Sequence, residues 1–239
     1  VSADNPLFVA VDCKRTANWR SKYFNEHSQK FPEYAGLTYK GHRVRDTSIP
    51  WDEIWKVYND VIDYLNDSTD VVMLKHDNAE ADDVINVLSQ FENGLTIISS
   101  DKDFKQLISD KVRQWDPLKK SYVDKEDNYL TSHIIMGDKS DGIKAIEPRV
   151  GIKTATKWAT NLEAYLHGKP ERQARYDFNE MMIDLSKLPE WIKDDIIEDI
   201  KEKRNVATKA RWDMQDTIKF YRKYGLRKLA EKIDKLKFV

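Results

Sequence analysis

The sequence predicts an α/β fold, with a mainly parallel central sheet flanked by helices and a helical module after it. Three observations lead there. Short, continuous apolar runs at 7–11, 71–74 and 95–99 have the character of strands covered on both faces. Helix-spaced apolar residues alternate with them, as in a sheet sandwiched between helices. Beyond Asp124 the strand runs stop and only helical spacing continues.

Each element follows from its residues. The first strand (LFVAV, 7–11) ends at Asp12. The stretch 13–48 is polar, basic and aromatic, contains Gly36 and Gly41, and reads as a long loop of the functional or mobile kind. Ile54, Trp55, Tyr58, Val61, Ile62 and Leu65 give a helix over 52–65. A second strand at 71–74 precedes a helix over 80–91, with Val84, Ile85, Val87 and Leu88 inward and Gly94 closing it. The third strand (LTIIS, 95–99) leads into a helical turn at 104–108, and strands at 112–115 and 121–123 flank Pro117. Helices are expected at 131–136, 153–166, 171–184, 189–203 and about 208–237. The implied division is an α/β domain over 1–130 and a helical module over 131–239.

With 239 residues, 40% of them apolar and 34% charged, the chain can bury a sizeable core under a heavily charged surface. No stretch reaches the length of a membrane span, no signal-peptide pattern opens the chain, and no membrane partner is expected. A single cysteine, Cys13, excludes an intrachain disulfide and fits a reducing cytoplasm. The net charge of −1 is uninformative, but its distribution is not. Residues 14–45 hold eight Lys/Arg against two Glu, 46–110 hold fifteen carboxylates against four lysines, and 201–239 hold thirteen basic residues against five acidic. Any one run reads as a solvated face. Basic blocks on either side of an acidic middle suit a phosphate-binding surface around a metal centre.

The acidic residues fall at strand ends. Asp12 ends the first strand; Glu80, Asp82 and Asp83 open the helix after the second; Asp101 and Asp103 follow the third; Asp138 and Asp141 lie further on in Gly137-Asp138-Lys139-Ser140-Asp141. In open parallel sheets the site lies at the carboxyl ends of the strands, so the first three groups should converge. Like charges so close repel unless cations compensate them. Oxygen ligands without a Cys/His cluster point to Mg²⁺ or Mn²⁺, and a pair of ions about 4 Å apart would orient water for phosphodiester hydrolysis. Singly, each group has a plainer reading. Asp82 and Asp83 also suit a helix N-terminus, Asp101 a helix cap, and Asp138 with Asp141 a surface turn.

These strings resemble, in order and spacing, the acidic motifs of the flap endonuclease and 5′-nuclease superfamily, whose core is shared with PIN-type ribonucleases. Tyr39-Lys40-Gly41-His42-Arg43 resembles the Tyr-Lys-x-x-Arg element of that superfamily's helical arch. Val150-Gly151-Ile152-Lys153-Thr154-Ala155 resembles the hairpin of its helix–hairpin–helix, expected near 142–160. Trp19-Arg20 is shared with the ribonuclease H of T-even-type phages, which the chain also resembles. The resemblance implies a 5′→3′ exonuclease and flap endonuclease acting in primer or flap removal. It implies two Mg²⁺ ions, replaceable by Mn²⁺, held by Asp12, Glu80, Asp82, Asp83, Asp101, Asp103, Asp138 and Asp141. Lys14, Arg20, Lys40 and Arg43 would meet the scissile phosphate or the 5′ strand, though solvated side chains on a loop are the plainer alternative. Trp19, Tyr23, Tyr39, Gly151, Ile152, Lys153, Thr154 and Lys157 would contact DNA, with K⁺ at the hairpin; a simple helix start competes with that reading. Implied partners are DNA with a 5′ flap or nick, RNA–DNA hybrid, a single-strand-binding protein and a sliding clamp, met by a monomer in the host cytoplasm.

Two departures bear on the reading. Superfamily members open with a strand carrying a further metal-binding aspartate, and this sequence opens instead on Val1 with no apolar strand before Asp4. The expectation is a longer protein or a strand supplied by another polypeptide. The loop 144–149 also lacks the usual glycine-proline pattern. Alternatives are a PIN-type ribonuclease and a non-catalytic, structure-specific DNA-binding derivative of a nuclease.

Overall fold

The computed structural model describes residues 6–43, 46–69, 71–92, 94–206 and 213–231. In chain order its elements are β1 (Phe8–Val11), α1 (Trp19–His27), α2 (Trp51–Ser68), β2 (Val72–Lys75), α3 (Ala81–Phe91), β3 (Leu95–Ile98), β4 (Val112–Asp116), β5 (Ser121–Tyr122), α4 (Tyr129–Met136), α5 (Ile152–Ala159), α6 (Leu162–Leu166), α7 (Pro170–Ile183), α8 (Glu190–Val206), α9 (Met214–Lys223) and α10 (Arg227–Ala230). The fold is α/β, and its compact units are not cut at residue 130. One comprises 1–11, 45–74 and 196–239, the other 12–44 and 75–195.

In the first unit β1 hydrogen-bonds β2, and Leu7 O accepts from Val72 N at 2.9 Å. Val72, Met73 and Leu74 are buried, as are Ile196 and Ile200 of α8. Lys203 near the end of α8 donates to Met73 O at 2.9 Å. Helix α2 is amphipathic but has no fully buried residue; its Tyr64 stacks on Phe220 of α9 with ring centroids 4.4 Å apart.

The second unit holds β3, β4 and β5. β3 runs parallel to β4 in register Leu95↔Val112 to Ile98↔Trp115, and β5 returns antiparallel beside β4. Its main core joins Phe24 of α1, Ile134 and Ile135 of α4, and Phe178 and Met182 of α7, with Tyr34 and Tyr39 between. Burying a side chain such as Phe24, 1% exposed, contributes about 1.5–3 kcal/mol. A smaller cluster of Ile97, Phe104 and Val112 backs the sheet.

Three local expectations differ from the structure. The stretch 13–48, expected as a loop, contains α1 and two 3₁₀ turns at Ser28–Lys30 and Pro32–Tyr34. The buried face of α1 is Trp19, Arg20, Ser21 and Phe24, half of it polar, so no apolar periodicity marks it. The helix expected over 153–166 breaks into α5 and α6, because the Asn161 side chain accepts from Ala164 N at 3.2 Å and starts a new helix. Within 208–237 the structure has α9 and α10, and residues 207–212 and 232–239 lie outside the described residues.

Candidate metal centre

Every carboxylate proposed from the sequence lies in the second unit. Asp12 follows β1 directly, and its Oδ1 accepts from Ala81 N at 2.8 Å, anchoring the start of α3. Glu80 is the residue before α3, and its backbone N donates to Asp83 Oδ2 at 3.0 Å. Asp101 caps the 3₁₀ turn Lys102–Leu107, with Oδ1 accepting from Asp103 N at 2.9 Å. Gly137 ends α4 and releases the chain into Asp138. One pocket then carries Arg20, Tyr39, Glu80, Asp82, Asp103, His133, Asp138 and Asp141 on its walls, with Met182, Ile183 and Leu185. A more open cleft along α6 and α7, from Leu162 to Gln173, has one carboxylate, Glu163, in its lining and no comparable chemistry.

Basic and phenolic groups brace one side of the pocket. Lys40 Nζ lies 2.5 Å from Glu80 Oε1 and 3.5 Å from Asp141 Oδ2. The Tyr39 hydroxyl donates to Asp141 Oδ2 at 2.7 Å and sits 3.2 Å from Glu80 Oε2. Arg43, half-exposed, donates to Asp141 Oδ1 at 2.8 Å and to Ser140 O at 3.0 Å. Burial opposes the charge on Glu80, but Lys40 and Arg20 outweigh it and hold the carboxyl below its ordinary range.

On the other side stand Asp103, His133 and Asp138, each offering a ligand atom within 4.8 Å of the others. His133 Nε2 is 2.9 Å from Asp138 Oδ2, which also accepts from Lys102 Nζ at 3.0 Å. Asp138 Oδ1 accepts from Ser140 N at 2.7 Å and Ser140 Oγ at 2.5 Å. Burial works against ionisation of Asp138, yet these hydrogen bonds prevail and keep it far below the usual carboxylate range. The opposite holds for its neighbours. Burial first, then Asp101 and Glu80, push Asp82 up to about 7. Burial, countered by His133 and reinforced by Asp101 and Asp138, pushes Asp103 up to about 6. A site that raises its own carboxylates in this way fits a divalent cation, which removes the repulsion. His133 Nδ1 and Asp103 Oδ1, both buried without a hydrogen-bond partner, add to that fit.

Of four residues expected at the metal or the nucleic acid, Asp83 and Trp19 lie outside the pocket's lining. Arg20 and Tyr39 line it with polar atoms turned to protein partners. Asp83 is fully buried, and both its oxygens accept from Arg20 NH1, at 2.7 and 2.8 Å. Its Oδ2 also accepts from Trp19 Nε1 at 3.2 Å, so its lone pairs are occupied within the fold. Arg20, 2% exposed, donates in addition to Met182 O at 3.1 Å and lies over the Trp19 ring at 4.4 Å. Its guanidinium is thus held by Asp83 and Met182, with NH2 left without a hydrogen-bond partner. Trp19, likewise buried, stacks and donates inside the fold, and Tyr39 is turned to Glu80 and Asp141. Lys14 is exposed, and Tyr23 is half-buried against His27 and Phe178. Gly151, Ile152, Lys153, Thr154 and Lys157 are exposed along α5. His133 was missed by sequence reading; the available signal was a histidine five residues before Asp138, one helical turn ahead of the Gly137 kink.

A family model described as the 5′-3′ exonuclease N-terminal resolvase-like domain matches residues 2–135. Among solved structures, a bacteriophage T5 protein co-crystallised with metal ions superposes with a TM-score of 0.57 at 18% identity, over 84% of each chain. A bacteriophage T5 flap endonuclease in a pseudo-enzyme–product complex with DNA and metal ions gives 0.55 at 16% identity, over 84% of this chain and 82% of that one. The T5 5′-exonuclease with bound zinc gives 0.54 at 17% identity, over 83% and 82%. At these identities the likeness is one of fold.

Proposed function

Because the chain belongs to the 5′-3′ exonuclease family, within the flap endonuclease and 5′-nuclease superfamily, we propose that it hydrolyses phosphodiester bonds near 5′ ends, flaps and junctions of DNA or RNA–DNA. The observation that carries this reading is the convergence of Glu80, Asp82, Asp103, Asp138 and Asp141 in one pocket braced by Lys40 and Tyr39. Two bound Mg²⁺ or Mn²⁺ ions would supply an activated water and stabilise the leaving oxygen. The chain's own part is to hold and aim. Glu80, Asp82, Asp101 and Asp103 would bind the ions or their waters, and Asp141 would serve the second position. Lys40 and Tyr39 fix the directions of Glu80 and Asp141. Arg43, half-exposed beside Asp141, would stabilise charge developing on a phosphate. The exposed start of α5 would offer backbone N–H groups to duplex phosphate, with Lys153, Thr154 and Lys157 beside them, in the manner of a helix–hairpin–helix with K⁺. In this reading the α/β part over 1–130 carries most of the catalytic residues, while the helical part over 131–239 adds Asp138 and Asp141 and supplies the duplex grip. The protein is then a monomer removing primers or flaps during cytoplasmic replication. A single-strand-binding protein and a sliding clamp are the partners the family resemblance suggests.

The test is cleavage of a 5′-flap substrate in Mg²⁺ and in EDTA. Asp101→Asn should abolish the Mg²⁺-dependent cleavage, while duplex binding stays equal or tightens because repulsion of phosphate is removed. Wild-type turnover in that variant would sink the assignment.

A further inference from the structure

His133 is 3% exposed and stands between two carboxylates, Asp103 and Asp138, in a group of possible metal ligands. Asp138 already accepts from Ser140 and Lys102, so it meets His133 Nε2, 2.9 Å away, as an acceptor and orients the ring through that nitrogen. Nδ1 is the ring nitrogen left without a partner. That atom faces Asp103 Oδ1 at 3.6 Å, and both are buried with no hydrogen-bond partner. A separation of 3.6 Å is too long for a hydrogen bond. Two buried polar atoms that face each other without a hydrogen-bond partner are satisfied together by a cation lying between them. With metal–nitrogen and metal–oxygen bonds of about 2.0–2.2 Å, their spacing is that of two ligands on one ion at a near-tetrahedral to trigonal angle. The Asp138 contact completes the pattern, since a ligating histidine characteristically donates its other ring N–H to a carboxylate that fixes its orientation.

We infer that His133 Nδ1 and Asp103 Oδ1 are direct ligands of a first-row transition-metal ion, with Asp138 orienting the imidazole, so that this position takes Mn²⁺, Co²⁺ or Zn²⁺ in preference to Mg²⁺. Imidazole nitrogen suits the transition ions, whereas Mg²⁺ seeks oxygen ligands in octahedral array. Asp138, expected from the sequence as a ligand, becomes the residue that positions one. The inference rests on the nuclease reading for its place beside a reacting phosphate, but the coordination stands on geometry alone.

The full chain, stripped of metal, is loaded with Mn²⁺ and studied by pulsed electron paramagnetic resonance with ¹⁵N-histidine labelling. Bound Mn²⁺ should show coupling to an imidazole nitrogen; absence of that coupling in the wild-type protein overturns the inference without any variant. In His133→Ala, checked for folding by circular dichroism, Co²⁺ affinity should fall by at least about tenfold while Mg²⁺ affinity is nearly unchanged. Equal loss of both ions, or of neither, also overturns it. Flap cleavage in Mg²⁺ is scored separately. Cleavage without nitrogen coupling leaves the nuclease reading and removes this one; coupling without cleavage does the reverse.

Discussion

Asp82 and Asp83 are neighbours in the chain with opposite fates. A turn of roughly 100° per helical residue sends Asp83 away from the pocket's lining to Arg20, and leaves Asp82 facing Asp101 and Glu80. The string Glu80-Ala81-Asp82-Asp83 announced acidic chemistry, but which carboxylate is already satisfied depends on an arginine more than sixty residues away in sequence. The difference has a measurable sign. Asp82 ionises ordinarily at 3.8 and in the metal-free fold at about 7, so between these values the folded state binds more protons than the unfolded one. Stability therefore falls as pH rises through that window. Asp82→Asn should melt higher than the wild type in EDTA, by a few degrees at about 2–4 °C per kcal/mol. The gain should be absent near pH 3, grow from pH 4 to 7 and then level off, all in the metal-free protein. A gain independent of pH in thermal melts would refute the assignment of that repulsion.

At the level of elements, the helices and strands with apolar periodicity were legible and those held by polar contacts were not. β3 and α3 announced themselves through LTIIS and through Val84, Val87 and Leu88. Helix α1 did not, since Arg20 and Ser21 share its buried face with Trp19 and Phe24. The turn after α4 is instead fixed by space. Gly137 has φ +68°, and a Cβ there would meet Ile143 O and the Lys144 carbonyl at 2.5 Å. Both are backbone atoms and have little room to yield. Gly137→Ala should thus cost about 1–3 kcal/mol in urea unfolding. It should also weaken metal binding, because the displaced turn carries Asp138 directly behind it. Unchanged stability in that variant would mean that the turn relaxes freely.

Across the molecule, the α/β class was readable, and so was the approach of Glu80, Asp82 and Asp103 to one pocket after two strand ends. Both follow from short-range pattern and the geometry of strand termini. Asp12 at the end of β1, by contrast, is not on that pocket's walls and accepts from Ala81 N. The compact units were not readable. They join residues 1–11 to 45–74 and 196–239, an association that no local composition encodes. His133 was invisible for the same reason, as its meaning depends on Asp103, thirty residues earlier, coming within 3.6 Å. The Arg20 side chain shows what such long connections imply in time. Its guanidinium ties together positions 63 and 162 residues apart along the chain, at Asp83 and Met182. Closing loops of that length is entropically costly, so these bonds should form only after the rate-limiting step of folding. Arg20→Lys should then leave the refolding arm of a chevron plot in place and steepen the escape from the native state, seen as a faster unfolding arm. The clasp at the metal pocket would act less as a guide to the fold than as a latch on its lifetime.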